Sequence, residues 1–396
     1  MADPIFRYCI PGNPGVVDAL SSLWNLPLSG GPENNCNDNL SNGRADRFLI
    51  KDYFESAKIF IEQNRYSALK KGLKFYGKKD ISCSSIHYID ISLEKHGAFY
   101  HPARISVMLE HGEKFFFVLN MAVSDPGLAI IENEYRSLSK LNKDHPDSFL
   151  PKVFAMGIVP MEKGNIAFFM AQWFEGFHEF HVTSSPAGKQ IKEEQIGVWE
   201  SDGSIVKISL PWYLVIYEKA AEILTEFYNI KTFEQIFPWH HAAGDFVVKR
   251  TDTDFYVRLI TVRGYSPLFE TDSDQKDMDN ENMLQALLFF LINLSLRMRI
   301  DRMDGTGDYY FMDSGIISAV LKGFFRAVSK KNLPGVSGKN ISKIFLEFII
   351  NFSAEEIYEM CAIITDSYNP HAPEIALIKK NLKKHSKVLF DQIRRI

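Results

Sequence analysis

At 396 residues the chain is too long for one small core, and a prior of about 150 residues per domain predicts two or three lobes. A hydrophobic fraction of 46% with 24% charged residues is ordinary for a soluble globular chain, and a formal net charge of -4 argues against the basic field that nucleic-acid binding uses. The four cysteines lack CxxC spacing, so neither a zinc site nor a disulfide framework is signalled, and the longest apolar run, 283–294, is too short to span a membrane.

The first 83 residues read as an extension carrying one helix. Turn-forming residues around Gly12, Pro14, Gly30, Gly31 and Pro32 precede a helical stripe from Phe48 to Tyr76, which includes Tyr53, Phe54, Ala57, Ile61, Leu69 and Leu73. The lysines that follow it read as a solvated helix end. From Ser84 the apolar period changes to two. Strands are predicted over 86–93, 104–109 and 115–123, joined by polar turns at 94–102 and 111–114. A cap and breaker cluster at Ser124-Asp125-Pro126-Gly127 then introduces a helix through Ile131, Glu134, Leu138 and Leu141. Two further strands, 150–159 and 166–174, close a segment of 84–176 that reads as a small antiparallel-sheet lobe.

The remainder, 177–396, reads as a larger, mainly helical lobe. A polar insertion over 178–207 is predicted as loop with a small hairpin, and an amphipathic helix over 211–229 leads into Pro238-Trp239-His240-His241-Ala242-Ala243-Gly244-Asp245. The apolar strand Phe246-Val247-Val248 follows, and Tyr256 to Arg263 returns from a polar tip. Helices are predicted over 283–300, 313–330, 341–351 and 353–366, with a basic last helix around Lys379 to Arg395. Four Asn-X-Ser tripeptides match the glycosylation acceptor, but no charged n-region and apolar h-region precede them, so a cytoplasmic location with reduced thiols is expected.

The chemistry concentrates in the hairpin at 238–263. His240 and His241 are adjacent, so in extended backbone they face opposite ways and cannot address one atom. Either could act as a general base oriented by Asp245, could ligate a divalent metal with it, or could brace the loop. Arg263, at the end of the return strand, is a candidate anion clamp, because a guanidinium fork binds phosphate or carboxylate bidentately. Arg104 and Arg258 are blander candidates for the same role. The run Asp301 to Asp308 lacks the spacing of a calcium loop and reads as an ordinary loop. His178 and His181 have no partner visible in sequence.

The order of three strands, a helix, two strands, a hinge, a helix and a hairpin resembles the protein-kinase-like superfamily over roughly 84–330, in particular its aminoglycoside and choline phosphotransferase branch. The resemblance implies an α+β, two-lobed fold. Ala167 to Gly176 is similar to the family's fifth strand and hinge, which places Gln172 and Phe174 where a hinge contacts adenine, and Glu134 where the family's helix carries its Lys-pairing Glu. The hairpin is similar to the family's catalytic loop, with His240 at the catalytic Asp, Asp245 at the metal-binding Asn and Thr261 at the metal-binding Asp. Asn120 falls where the third-strand Lys belongs, and the turn holding Gly97 is not glycine-rich.

Phosphoryl transfer needs a cation on the phosphates, metal ligands and a carboxylate that orients the acceptor. Only Asp245 remains of these. The resemblance therefore implies ATP or another nucleotide with Mg²⁺ or Mn²⁺ as ligand in an interlobe cleft, held by a pseudokinase without conventional catalysis. Two alternatives stay open. One is a divergent small-molecule phosphotransferase or nucleotidyl transferase using His240 or His241 with Asp245 and Arg263; the other is an interaction protein on a kinase fold that presents a surface to a protein partner.

Overall fold

The computed structural model describes residues 3–13, 15–28, 48–78, 81–94, 100–146, 149–183, 194–200, 203–267, 280–332 and 340–396. The fold is mixed α+β, and the chain divides into two compact units, Met1–Glu175 and Gly176–Ile396.

The first unit is built on a six-stranded sheet. Its strands are β1 (Ile5–Cys9), β2 (Ile86–Leu93), β3 (His101–Leu109), β4 (Lys114–Ala122), β5 (Val153–Met161) and β6 (Gly164–Gln172), in the order β1-β2-β3-β4-β6-β5. All neighbours are antiparallel except β1 and β2, which run parallel. Two helices accompany the sheet: α1 (Ile50–Phe75), and α2 (Asp125–Asp144), which the Ser124 side chain caps by accepting from the Gly127 N–H.

Residues 1–83 are therefore no appendage. β1 is zipped onto β2, and the Arg7 guanidinium grips Asp90 through two hydrogen bonds of 2.5 and 2.8 Å. Trp24 stacks on Phe54 of α1, while Phe60 of the same helix stacks on Phe168 of β6. Helix and sheet share one core, in which Phe54, Ile61, Leu69, Leu73, Phe117 and Phe168 are fully buried. The long helix expected over 48–76 is interrupted. Gln63 is extended, and Asn64, Arg65 and Tyr66 lie in the left-handed region at φ of 51, 56 and 62°, so α1 is two helical rods joined at a kink.

The second unit combines helices with a five-stranded sheet. β7 (His178–Thr183), β8 (Gln195–Trp199), β9 (Ile205–Ile208), β11 (Phe246–Arg250) and β12 (Phe255–Leu259) are ordered β12-β11-β7-β8-β9. The stretch expected to be a polar insertion thus supplies three strands, and the unit is less exclusively helical than its sequence suggests. Phe180, Val182, Ile196 and Val198 are buried, but so are His181, Thr183 and Gly197 between them, so no apolar alternation marks β7 and β8 in the sequence.

The helices are α3 (Trp212–Glu226), α4 (Asn280–Arg297), α5 (Gly315–Val328), α6 (Ile341–Ile349), α7 (Ala354–Asp366) and α8 (Ile375–Ile393). Two short pairs, β10 (Gln235–Ile236) with β13 (Tyr265–Ser266) and β14 (Ile300–Arg302) with β15 (Tyr309–Phe311), complete the unit. No helix among the described residues is long and apolar enough to cross a membrane.

A close approach of α5 seats α3, the helix that carries Tyr217 toward the hairpin. Gly323 of α5 lies against the α3 backbone, and an added Cβ would collide with the Glu218 carbonyl oxygen. Gly323→Ala is expected to lower unfolding free energy by about 1–3 kcal/mol in urea titration, because two packed backbones must separate. An unchanged midpoint would mean that the two helices are free to part.

Candidate functional site

The hairpin forms, but its return strand ends at Leu259 instead of running to Arg263, so Thr261 and Arg263 lie beyond it. β11 and β12 pair in register from Phe246 opposite Leu259 to Arg250 opposite Phe255. Gly244 makes the entry turn at φ +73°, in the region that glycine occupies without steric cost, and a Cβ there would approach the Glu179 carboxyl to 2.8 Å. The backbone conformation favours glycine here, and a side chain would also have to push the Glu179 carboxyl aside.

Asp245 follows immediately and is 1% exposed. Its carboxylate is held by Arg263 as a fork, Nη1 to Oδ2 and Nη2 to Oδ1, both at 2.5 Å, and the His240 N–H donates to Oδ2 at 2.6 Å. The guanidinium expected to clamp a ligand anion instead clamps this aspartate, and both oxygens of the expected metal ligand are engaged. Thr261, its expected co-ligand, is 7% exposed in the segment after β12. Among the described residues no group of three or more His, Cys, Asp or Glu side chains is placed to hold a metal ion.

The two histidines part where the backbone changes, His240 being extended and His241 opening the 3-10 turn His241–Ala243. The His240 ring turns to Glu374, just ahead of α8, with Nε2 at 3.3 Å from Oε1. Burial lowers the His240 pKa and the nearby Arg297 lowers it further, against Glu374; burial would raise Glu374, but the bond to His240 leaves its carboxyl below the usual range. Arg297 lies over the rings of Phe237 and Tyr368 and donates to the Trp239 carbonyl at 3.2 Å.

His241 enters a different network. Its Nε2 is 2.9 Å from the Tyr217 hydroxyl and 3.1 Å from Asp301 Oδ2. Asp301, fully buried on β14, also meets His181 Nδ1 at 2.9 Å and accepts from the Val182 N–H at 2.6 Å and from the Arg302 N–H at 2.7 Å. One carboxylate thus ties β7, β14 and the turn before β11 together. Burial opposes its charge, yet His241 and His181 hold the Asp301 carboxyl far below the usual range. Burial would likewise lower His181, but its hydrogen bonds to Asp301 and Glu179 outweigh that and raise its pKa to about 9. The neighbouring Gly305, at φ +75°, leaves room for the imidazole, since a Cβ there would come within 2.8 Å of Cδ2.

The other expected positions lie in the first unit. Asn120 lies toward the end of β4, with Pro102 and Phe169 opposite it on the flanking strands, and is 8% exposed. Glu134 is fully buried on α2, where the Tyr100 hydroxyl donates to Oε2 at 2.8 Å. Gln172 ends β6 with its N–H donating to the Lys152 carbonyl at 2.7 Å, Phe174 is half-buried, and Gly97 lies outside the described residues. The blander arginines are in cation–π contact: Arg104 with Trp173 and Arg258 with Phe177, at 5.9 and 5.5 Å. His178 faces Glu200 at 3.1 Å.

Sequence reasoning missed Asp301, Tyr217 and Glu374. The available signal for Asp301 was its position directly after the helix predicted over 283–300, where a carboxylate must be compensated once buried. Tyr217 sits on the apolar stripe of its helix and gives no separate signal, and Glu374 is distant in sequence from everything it touches. No protein-family model matches the chain, and no curated protein matches it.

Two expected outcomes follow from these networks. Arg263→Ala leaves Asp245 buried and without its fork, and should cost about 3–5 kcal/mol in chemical denaturation, with Asp245→Asn added to the same variant recovering part of the loss; additive effects would show that the pair is not coupled. For His181, the unfolded side chain titrates near ~6.5. The folded pKa is higher, so its stabilisation is complete below that value and is lost as pH rises through about 9. Urea midpoints of wild type should therefore fall between pH ~6.5 and about 9, and His181→Gln should flatten that limb; parallel profiles would refute the pairing.

Proposed function

We propose that this chain is a kinase-like protein without conventional phosphoryl-transfer chemistry, which binds a nucleotide or another phosphorylated small molecule. The observation that carries the reading is the closure of Asp245. This is the one carboxylate at a metal-binding position of the resemblance, and the Arg263 fork and the His240 N–H occupy it. A metal ion would have to displace a charge-assisted bidentate pair before reaching it. Supporting this, the Lys position of the resemblance holds Asn120, which brings no cation to Glu134, and the Tyr100 hydroxyl donates to Glu134 Oε2.

A second reading rests on a separate feature. His240 stands at the catalytic-base position, its lowered pKa leaves it neutral near pH 7, and Glu374 fixes its ring. A neutral imidazole oriented by a carboxylate can accept a proton from a hydroxyl, which suits a divergent phosphotransferase.

A thermal-shift panel of ATP, ADP and GTP, with and without Mg²⁺ or Mn²⁺, tests both. A ligand that binds only the native state at about 100 times its Kd adds about 2.7 kcal/mol of apparent stability. The pseudokinase reading expects a shift that does not require metal, is reduced in Phe174→Ala, and comes with no nucleotide turnover. Metal-dependent turnover abolished by His240→Ala would replace it with the phosphotransferase. Absence of any shift would sink both and leave an interaction protein.

A further inference from the structure

The last helix carries a charge pattern that neither reading uses. Lys379, Lys380, Lys383, Lys384 and Lys387 are all exposed, while Ile378, Leu382, His385, Ser386, Leu389 and Ile393 of the same helix are buried. At 100° per residue the five lysines fall within a single arc opposite the buried side, spread over roughly 12 Å of helix. Only Lys379 has a carboxylate partner, Asp366 at 2.9 Å; among the described residues Lys380, Lys383, Lys384 and Lys387 make no ion pair.

This arrangement works against the helix itself. Lys379/Lys383, Lys380/Lys384 and Lys383/Lys387 are like charges four residues apart, which oppose helix formation by a few tenths of a kcal/mol each. In a chain with a formal net charge of -4, concentrating five cations on one face needs a reason other than solubility. Asp366 meets Lys379 and Asp391 lies on the same arc, which leaves the stripe with a clear excess of cations.

The surroundings indicate the class of anion that the stripe would meet. Ile363 of α7, one turn before Asp366, is 55% exposed, and at the other end of α8 Ile350 and Ile396 are 40% and 58% exposed. Arg394 marks that end by donating to the Ile350 and Phe352 carbonyls. Exposed aliphatic side chains flanking a lysine stripe suit an anionic bilayer surface, where lysines meet headgroups and isoleucines reach the acyl boundary. Phe390, the aromatic side chain on this arc, is half-buried with the Arg394 guanidinium 4.3 Å over its ring, so its face is not open to a nucleic-acid base. We propose that α8 with its flanking isoleucines is a peripheral docking face for anionic lipid membranes.

The test is co-sedimentation of the full chain with phosphatidylcholine vesicles, with and without about 30 mol% phosphatidylserine, at low salt and at about 0.5 M salt. A Lys380→Gln, Lys383→Gln, Lys384→Gln, Lys387→Gln variant is compared after its thermal midpoint has been matched to wild type; Gln keeps the helix propensity of Lys. Wild type is expected to pellet only with the anionic vesicles and to be released by salt, and the variant to lose at least about tenfold in partitioning. Wild type remaining in the supernatant, equal partitioning of the variant, or capture by a DNA or RNA duplex without vesicle binding overturns the proposal.

Discussion

The second unit depends on how it accommodates one buried negative charge. Asp301 is fully removed from water, and a carboxylate in that position is tolerated only when its lone pairs are met by donors and its charge by cations. Two imidazoles and two backbone N–H groups do this, and they come from three separate segments of chain. β7 leaves β11 after Glu179, and the Val182 N–H then donates to Asp301. The same carboxylate orients His241 and so fixes the turn that delivers Asp245 to the hairpin. Any rearrangement of the loop would expose the charge or strand it without partners.

A second pairing, Asp245 with Arg263, follows the same logic one turn later and decides what the hairpin can do. In a fold that transfers phosphoryl groups, a carboxylate at this place must stay available to a metal ion. Here it is an internal anchor that joins the start of β11 to the end of the return segment. His240 contributes its N–H to the anchor and its ring to Glu374, so backbone and side chain of one residue serve two different contacts. What the loop presents beside this anchor is an imidazole held against a carboxylate.

Much of the element order could be read from the chain because its apolar periods are clean: β2 to β4, α2, β11 and the helices from α4 onward lie close to their predicted limits. The failures share a physical origin in long-range contacts. β1 is too short to stand out and becomes a strand only by pairing with β2; the break in α1 at Gln63 to Tyr66 involves no proline or glycine. The small hairpin expected in 178–207 is β8–β9, but β7 beside it went unread because His181 and Thr183 are buried along with Phe180 and Val182 and no alternation shows. At the site, the turn and its glycine were visible locally, whereas the partners of Asp245, His240 and His241 lie 18, 134 and 60 residues away and leave no local trace.

The parallel pairing of β1 with β2 has a consequence for how the first unit assembles. Ile5 meets Tyr88 and Arg7 meets Asp90, so this edge of the sheet closes a loop of 83 residues that contains the whole of α1. During synthesis, at about 5–20 residues per second, the first strand leaves the ribosome several seconds before its partner exists. Closing so large a loop carries an entropic cost that neighbouring hairpins such as β3–β4 do not bear. The edge strand is therefore a late addition to a sheet begun elsewhere, and it is the place where that sheet would first come apart.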